Sequence, residues 1–424
     1  MYVNTSPNSF TFLVLADIHF GNSDDAPEFN VPSESSLKED KQQSNNRLQA
    51  LINTVKTTSP LPTAILVLGD LTSSALPSEF CECKKLVYHI AKELNISCEK
   101  IFFTYGNHDV DWRICKLSQQ KEHNHDKHYN YIAACTGGIL WGCEKTSLCL
   151  ELGPVMGSGV FKVDDHRIFI LNSVWSCTNE QVFPHGRLGE NQFKWFQQAL
   201  SKHKSSNGWN IVMSHHHAYG YAYPTPCLDI SCLEEGADLL QLMGNAGIDI
   251  FCHGHRHHAI AETIVKDTWE KPITFFCAGS VAANSKDRSN GKIPNLFHII
   301  CLNKRIKSKA AIGYIRSYKY GLGGWNKIQH ADETPLNYEH WFGIPNAVQE
   351  MDENIRKFFL SKIHSSLDTT NTTIELPARE ELPLELKCCP LPLLNEKSQT
   401  IAYSLGYKLM GQWGPINCVA LIKK

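Results

Sequence analysis

The chain has 424 residues, enough to bury one sizeable core and a smaller appendage. Its hydrophobic share of 42%, charged share of 20% and formal net charge of -2 are those of a globular protein and exclude a general electrostatic pull towards nucleic acid or an anionic membrane. There is no run of 18 apolar residues, and Thr11–Ala16 is too short and lacks the basic flank of a secretory leader, so a cytoplasmic location without membrane contact is expected.

Short β-rich apolar runs alternate with helix-period segments over the first three quarters of the chain, the pattern of strands feeding crossover helices. In chain order, strands are expected at Phe12–Ala16, Ala64–Leu68, Ile101–Tyr105, Arg167–Asn172, Ile211–Met213, Ile248–Cys252, Ile273–Cys277 and Phe297–Leu302. Leu48, Leu51, Ile52 and Val55 fall on one helical face, as do Cys83, Val87, Ile90, Ala91 and Leu94. Two further helices are marked by Phe193, Phe196 and Leu200, and by Leu239, Leu240 and Met243 before Gly244 or Gly247. Val160–Val163 and Arg167–Asn172, joined by Asp164-Asp165-His166, predict a hairpin and therefore a mixed sheet.

Asp109 to about Gly159 reads as a long insertion beside the site, and its His123, His125 and His128 as residues of a solvated loop. Gly321-Leu-Gly-Gly324 marks a change of pattern, followed by one helix carrying Ile355, Phe358, Phe359 and Ile363 and by a Thr/Pro-rich stretch. The expected division is residues 1–330 and an accessory region 331–424 that caps the site, self-associates or binds a protein partner. The sixteen cysteines contain no Cys-x-x-Cys, and many lie in apolar runs such as Phe275-Phe276-Cys277, so they read as reduced core residues.

Five of the expected strands end in metal-compatible side chains: Asp17-Ile-His19, Gly69-Asp70, Gly106-Asn-His-Asp109, His215-His-His217 and Gly254-His-Arg-His257. Ligands of open α/β sheets gather outside the carboxyl ends of strands, so these segments are expected to converge from distant parts of the chain. Carboxylate, imidazole and carboxamide donors without thiols suit Mn, Fe, Zn or Mg, and seven donors suffice for two such divalent ions if one carboxylate bridges them. In Asp-x-His and His-x-His, period-2 alternation along an extended segment would aim both side chains the same way. The glycines before Asp70, Asn107 and His255 would permit close backbone approach. Within His215-His216-His217, His215 is preferred as the first His after the strand, with His216 and His217 left open; His253 and His258 read as packing residues, as supports of the ligands or as solvent-facing residues, and His185 and Arg187 as rim residues.

Taken in order, the five segments resemble the signature of the calcineurin-like metallophosphoesterase superfamily, from Asp17 to His257, with Ala278-Gly279-Ser280 continuing the likeness. His217-Ala218 departs from the His-His-Pro frequent in that family. The resemblance implies an α/β fold, a β-sandwich of mixed sheets flanked by helices. It also implies a binuclear centre in which Asp17, His19, Asp70 and His257 hold one ion and Asp70, Asn107, His215 and His255 the other. His108 would stand beside the leaving-group oxygen as general acid, and Asp109 would orient it. The implied activity is metal-dependent phosphoester hydrolysis, with a metal-bridging hydroxide attacking in line and a phosphodiester of a small molecule or nucleotide as substrate. A nuclease working with a partner would need a basic groove that the near-neutral charge does not announce. A non-catalytic interaction module would have no need for the complete donor set.

Overall fold

The apolar runs form strands buried on both faces, which is why they read as continuous hydrophobic stretches and not as polar/apolar alternation. A computed structural model describes residues 10–21, 47–111, 147–175, 185–220, 231–264, 266–284, 288, 293–302, 313–321, 323–328, 336, 338–342, 350–366, 372–387, 389, 391–413 and 419–423. They belong to two units, Met1–Tyr338 and Glu339–Lys424. His123, His125 and His128, most of the 110–159 insertion and much of the 176–190 loop lie outside the described residues.

The first unit runs β1 (Phe10–Leu15), α1 (Arg47–Lys56), β2 (Ala64–Leu68), α2 (Pro77–Glu93), β3 (Ile101–Thr104), β4 (Cys149–Leu152), β5 (Gly159–Val163) and β6 (His166–Ile170). It continues with α3 (Glu190–His203), β7 (Asn210–Met213), α4 (Gly236–Ala246), β8 (Ile250–His253), β9 (Ala259–Ile264), β10 (Ile273–Ala278), β11 (Leu296–Leu302), β12 (Gly313–Gly321) and β13 (Gly324–Lys327). One sheet has the order β13-β12-β11-β1-β2-β3, the other β4-β5-β6-β7-β8-β10-β9. Both are mixed: β1, β2 and β3 run parallel, as do β6, β7, β8 and β10, while the predicted β5–β6 hairpin and the β4–β5, β9–β10, β1–β11, β11–β12 and β12–β13 pairs are antiparallel.

Alternation within each strand sorts the layers. Leu13, Leu15, Ile65, Val67, Ile101 and Phe103 face outward onto Leu48, Leu51, Val87 and Ile90 of α1 and α2. Val212, Phe251 and Phe275 of the second sheet meet Phe196, Leu200, Leu239 and Met243 of α3 and α4. The intervening residues close the sandwich: Phe102 stands edge-on to Phe161 at 5.6 Å and Phe276 to His298 at 5.0 Å. Helix α4 stops at Gly247, whose φ of 67° places it in the left-handed conformation that commonly terminates helices. The glycine-rich stretch read as a change of pattern is a hairpin turn instead, with Gly321 paired to Gly324 between β12 and β13; turn chemistry there outweighs composition.

The second unit contains β14 (Glu339–Phe342), α5 (Met351–Ser365), β15 (Thr373–Leu376), α6 (Leu384–Lys387), α7 (Leu391–Ser404), β16 (Tyr407–Met410) and β17 (Val419–Lys423). Strands β15-β17-β16 form an antiparallel sheet, and Ile355 and Phe359 of α5 share a core with Leu394 and Ile401 of α7, Trp413 and Leu421.

Strand β4 is tied to α3 by Glu151, which accepts hydrogen bonds from Lys202 Nζ (2.7 Å), Trp195 Nε1 (2.8 Å) and His203 Nε2 (2.9 Å). Lys202 and His203 together hold its carboxyl down to about 2, from an ordinary 4.5. Because folding favours the ionised form, the tie contributes fully above pH 4.5 and fades as the pH falls towards 2. Glu151→Gln should lower stability by about 0.5–1 kcal/mol at pH 7, the scale of a solvent-screened network. In urea unfolding the gap from wild type should close between about pH 4.5 and pH 2; a gap independent of pH would contradict the account.

Candidate metal centre

The segments that follow β1, β2, β3 and β8 do not continue as extended chain. Asp17 (φ 50°), His19 (φ 48°), Asp70 (φ 49°), His255 (φ 70°) and His257 (φ 51°) all occupy the left-handed region, which L-residues enter at a cost of roughly 1–2 kcal/mol each. Thus the alternation expected for Asp17-x-His19 and His255-x-His257 is corrected: their side chains converge through a kinked backbone, not an extended one. Hydrogen bonds hold the kinks. Asp17, His19 and Phe20 donate their N–H groups to the carbonyls of Gly69, Asp70 and Leu71, and Ser73 N–H returns to Phe20. The Ser280 hydroxyl donates to Asp17 O (2.7 Å), and the Ser73 hydroxyl to His19 O (2.6 Å).

Close approach accounts for two of the glycines. A Cβ on Gly106 would lie 2.2 Å from Asp70 Oδ1 and 2.4 Å from Asp70 N; one on Gly254 would lie 2.6 Å from Asp17 Oδ2. Separate motifs therefore touch through backbone where any side chain would part them.

The donors gather into two buried groups: Asp17, His19, Asp70 and His257, and His215, His216 and His255. In the first, His19 Nε2 and His257 Nε2 are 3.0 Å apart, His257 Nε2 is 3.3 Å from Asp17 Oδ1, and His19 Nε2 is 3.7 Å from Asp70 Oδ2. Asp70 Oδ2 also lies 3.4 Å from His215 Nε2, joining the two groups. Asn107 Oδ1 is 3.1 Å from His215 Nε2 and 2.9 Å from His255 Nδ1. All seven residues expected as ligands are thus brought together.

The chemistry of this donor set is unusual because acceptors face acceptors. His215 Nδ1–H donates to Leu68 O (2.9 Å), so Nε2 of the neutral ring carries a lone pair, yet it confronts the oxygens of Asp70 and Asn107. Burial works against a charge on His215, but the Asp70 carboxylate outweighs it and lifts the ring to about 9. Burial likewise opposes ionisation of Asp70, and His215 and His108 hold its carboxyl well below the usual range. His19 and His255 are driven below their ordinary value mainly by burial, which keeps them neutral and their lone pairs available. Asp17 and Asp70 are at most 1% exposed, and their ion-pair partners among the described residues are histidines alone. Buried carboxylates ringed by imidazole nitrogen and amide oxygen call for positive charge, a need that protonation of His215 meets in part and that divalent cations fit.

His108 and Asp109 occupy a 3-10 turn, Asn107–Asp109. The His108 N–H donates to Asp70 Oδ1 (2.8 Å) and its Nδ1–H to Ser73 O (3.1 Å), which directs Nε2 away from that carbonyl; the ring stands edge-on to His19 at 4.7 Å. Asp109 is fully buried and accepts from the N–H groups of Gly106 (2.8 Å), Thr72 (2.9 Å) and Leu71 (3.2 Å) and from the Thr72 hydroxyl (3.0 Å). Its carboxylate braces the loops that carry His108.

Sequence reasoning missed most of the supports: Ser73 and Leu68 act through backbone carbonyls that leave no sequence signal, Thr72 sits close enough to Asp70 to have been suspected, and Ser280 was noted for the family likeness but without its bond to Asp17. It also treated His216 as a substitute for His215, whereas both rings join the second group. His185 and Arg187 both pair with Glu234, at 2.6 and 3.1 Å.

Gly106→Ala should force Asp70 aside, costing about 1–3 kcal/mol of stability and weakening Mn binding measured by calorimetry. Gly321→Ala, where nothing lies within 4 Å of the added carbon, should stay within about 0.5 kcal/mol of wild type with unchanged binding. Equal behaviour of the two variants would contradict the crowding described.

No curated protein matches the sequence. Among solved structures, purple acid phosphatase PPD1 from yellow lupin is similar at 13% identity, covering 75% of this chain and 53% of its own, with a TM-score of 0.44. A putative 5'-nucleotidase from Staphylococcus aureus shows 17% identity over 70% of this chain and 51% of its own (TM-score 0.38). GAP50, described as the anchor in the inner membrane complex of Plasmodium, shows 14% over 76% and 89% (TM-score 0.37). This chain thus spans about half the length of the first two. No described helix is long and apolar enough to cross a membrane. The family model for calcineurin-like phosphoesterases matches residues 10–259, more than half the chain and the stretch that carries all nine candidate residues, and the chain belongs to that family.

Proposed function

We propose that the protein is a binuclear metal-dependent phosphodiesterase acting on a small phosphorylated molecule or nucleotide. The convergence of carboxylate, imidazole and carboxamide donors on both sides of the Asp70 carboxylate carries this reading. Asp17, His19, Asp70 and His257 would hold one cation, and Asp70, Asn107, His215 and His255 the other. When bound, such a pair supplies an activated water and neutralises charge on the phosphoryl oxygens.

The chain's own residues complete the chemistry. His215 is held in the tautomer that presents Nε2 by the Leu68 carbonyl, and burial keeps His19 and His255 neutral enough to bind a cation. His108, with Nδ1–H donated to Ser73 O, keeps Nε2 for the leaving-group oxygen; as the imidazolium it would give up its Nε2 proton as the bond to phosphorus breaks and be left as the neutral ring. Asp109 positions His108 by fixing the turn from Gly106 against Leu71 and Thr72. An alkoxide is a poor leaving group and needs that proton, which is why the reading favours diesters of ordinary alcohols. The free state of the described cysteines, with Cys83, Cys252, Cys277, Cys301 and Cys389 buried, agrees with a reducing, cytoplasmic setting.

Chelation should abolish hydrolysis of a phosphodiester and added Mn restore it. His108→Ala should lower kcat by about 10²–10⁴-fold on an alkyl diester, with metal content unchanged and a much smaller loss on a p-nitrophenyl ester, whose leaving group needs no proton. Equal losses on both substrates would remove the general-acid role, and a metal-replete wild type inert towards mono- and diesters alike would overturn the hydrolase reading.

A further inference from the structure

His216 has no part in the reading above, yet it is placed as deliberately as the residues that do. Its side chain is 1% exposed, and its Nδ1 lies 2.8 Å from the Ser173 hydroxyl, which also accepts the His216 backbone N–H at 3.2 Å. The ring is also packed against backbone: a Cβ on Gly186 would fall 2.5 Å from its Cγ and 2.6 Å from its Nδ1, and the Gly186 segment is anchored by Arg187 N–H to Ser173 O and Glu234 N–H to Gly186 O. Its centroid is 4.4 Å from that of His255 and 5.0 Å from that of His215. Its Nε2 is buried without a hydrogen-bond partner among the described residues. Leaving such an atom unsatisfied costs roughly 1–3 kcal/mol. Its ligand nitrogen lies within 4.8 Å of those of His215 and His255.

We propose that His216 Nε2 is a further nitrogen donor to the cation held by His215 and His255, with Ser173 fixing the tautomer that presents it. The inference rests on the metal-binding reading above. With Nδ1–H donated to Ser173 Oγ, the lone pair of the neutral ring would sit on Nε2, the nitrogen that has no hydrogen-bond partner among the described residues. Three imidazoles in place of two shift this site's preference towards borderline ions such as Zn or Co and away from Mg, which favours oxygen. The other group, with two carboxylates and two imidazoles, keeps the harder character. The two positions already differ by Asp17 in one and Asn107 in the other, and His216 widens that difference.

The test loads the metal-free full chain with Co and reads the paramagnetically shifted, solvent-exchangeable imidazole N–H resonances. His19, His257, His215 and His255 account for four; the proposal requires a fifth, from His216 Nδ1–H, which Ser173→Ala weakens or exposes to exchange. His216→Ala should remove it and reduce Zn affinity at one of two sites by roughly 10- to 100-fold, with the other site and the circular dichroism spectrum unchanged. Four resonances in wild type would overturn the proposal even if His216→Ala fails to fold, as would a folded variant with unchanged Zn affinity. A wild type that binds no Co at all would instead bring down the metal-binding reading itself, and this inference with it.

Discussion

Lone pairs facing lone pairs around a buried carboxylate are the constraint on which the rest of the molecule depends. Asp70 offers one oxygen to the His108 backbone and turns the other towards His19 and His215, while Asn107 turns its oxygen to His215 and His255. Without a proton or a cation between them these atoms repel, and the rise of His215 to about 9 expresses the demand for positive charge at that point. A polar centre of this sort is costly to the fold. Five of its residues sit in left-handed backbone, and two carboxylates are out of reach of solvent. The sandwich tolerates this because its strands are apolar on both faces and hold the kinked loops from beneath, with hydroxyls of Ser73, Thr72 and Ser280 and the carboxylate of Asp109 pinning them from the sides.

Much of this was legible in the residues. Strands buried on both faces leave unbroken runs such as Ala64-Ile-Leu-Val-Leu68, and that run forms a strand over the same residues. The helical faces of α1 and α2 were visible in the spacing of Leu48, Leu51, Val55 and of Cys83, Val87, Ile90. What escaped was structure whose cause is not local. Strand β9 alternates only partly, and β12 and β13 sit around glycines that resemble a linker until their hairpin is formed. The convergence of the five motifs was expected, but for the wrong local reason. Asp17 and His19 do not alternate along a strand; each occupies a conformation that only the surrounding hydrogen bonds make tenable, and no propensity encodes that.

The histidine run shows where residue type alone runs out. His215, His216 and His217 are identical in composition and differ only in what holds their Nδ1 atoms. Leu68 O accepts from His215 Nδ1–H and Ser173 Oγ lies 2.8 Å from His216 Nδ1, contacts spanning 147 and 43 residues. For His215 the tautomer, and with it the ability to offer a lone pair, is decided by that distant carbonyl. The same logic governs His108, whose Nδ1 is committed to the Ser73 carbonyl.

Anomalous diffraction from crystals of the full chain grown with Mn, recorded at the metal edge, tests the central claim most directly. Two peaks about 3.5–4 Å apart with the Asp70 carboxylate between them are the predicted result. Absence of density at Asp70, or ions bound only elsewhere on the surface, would contradict it.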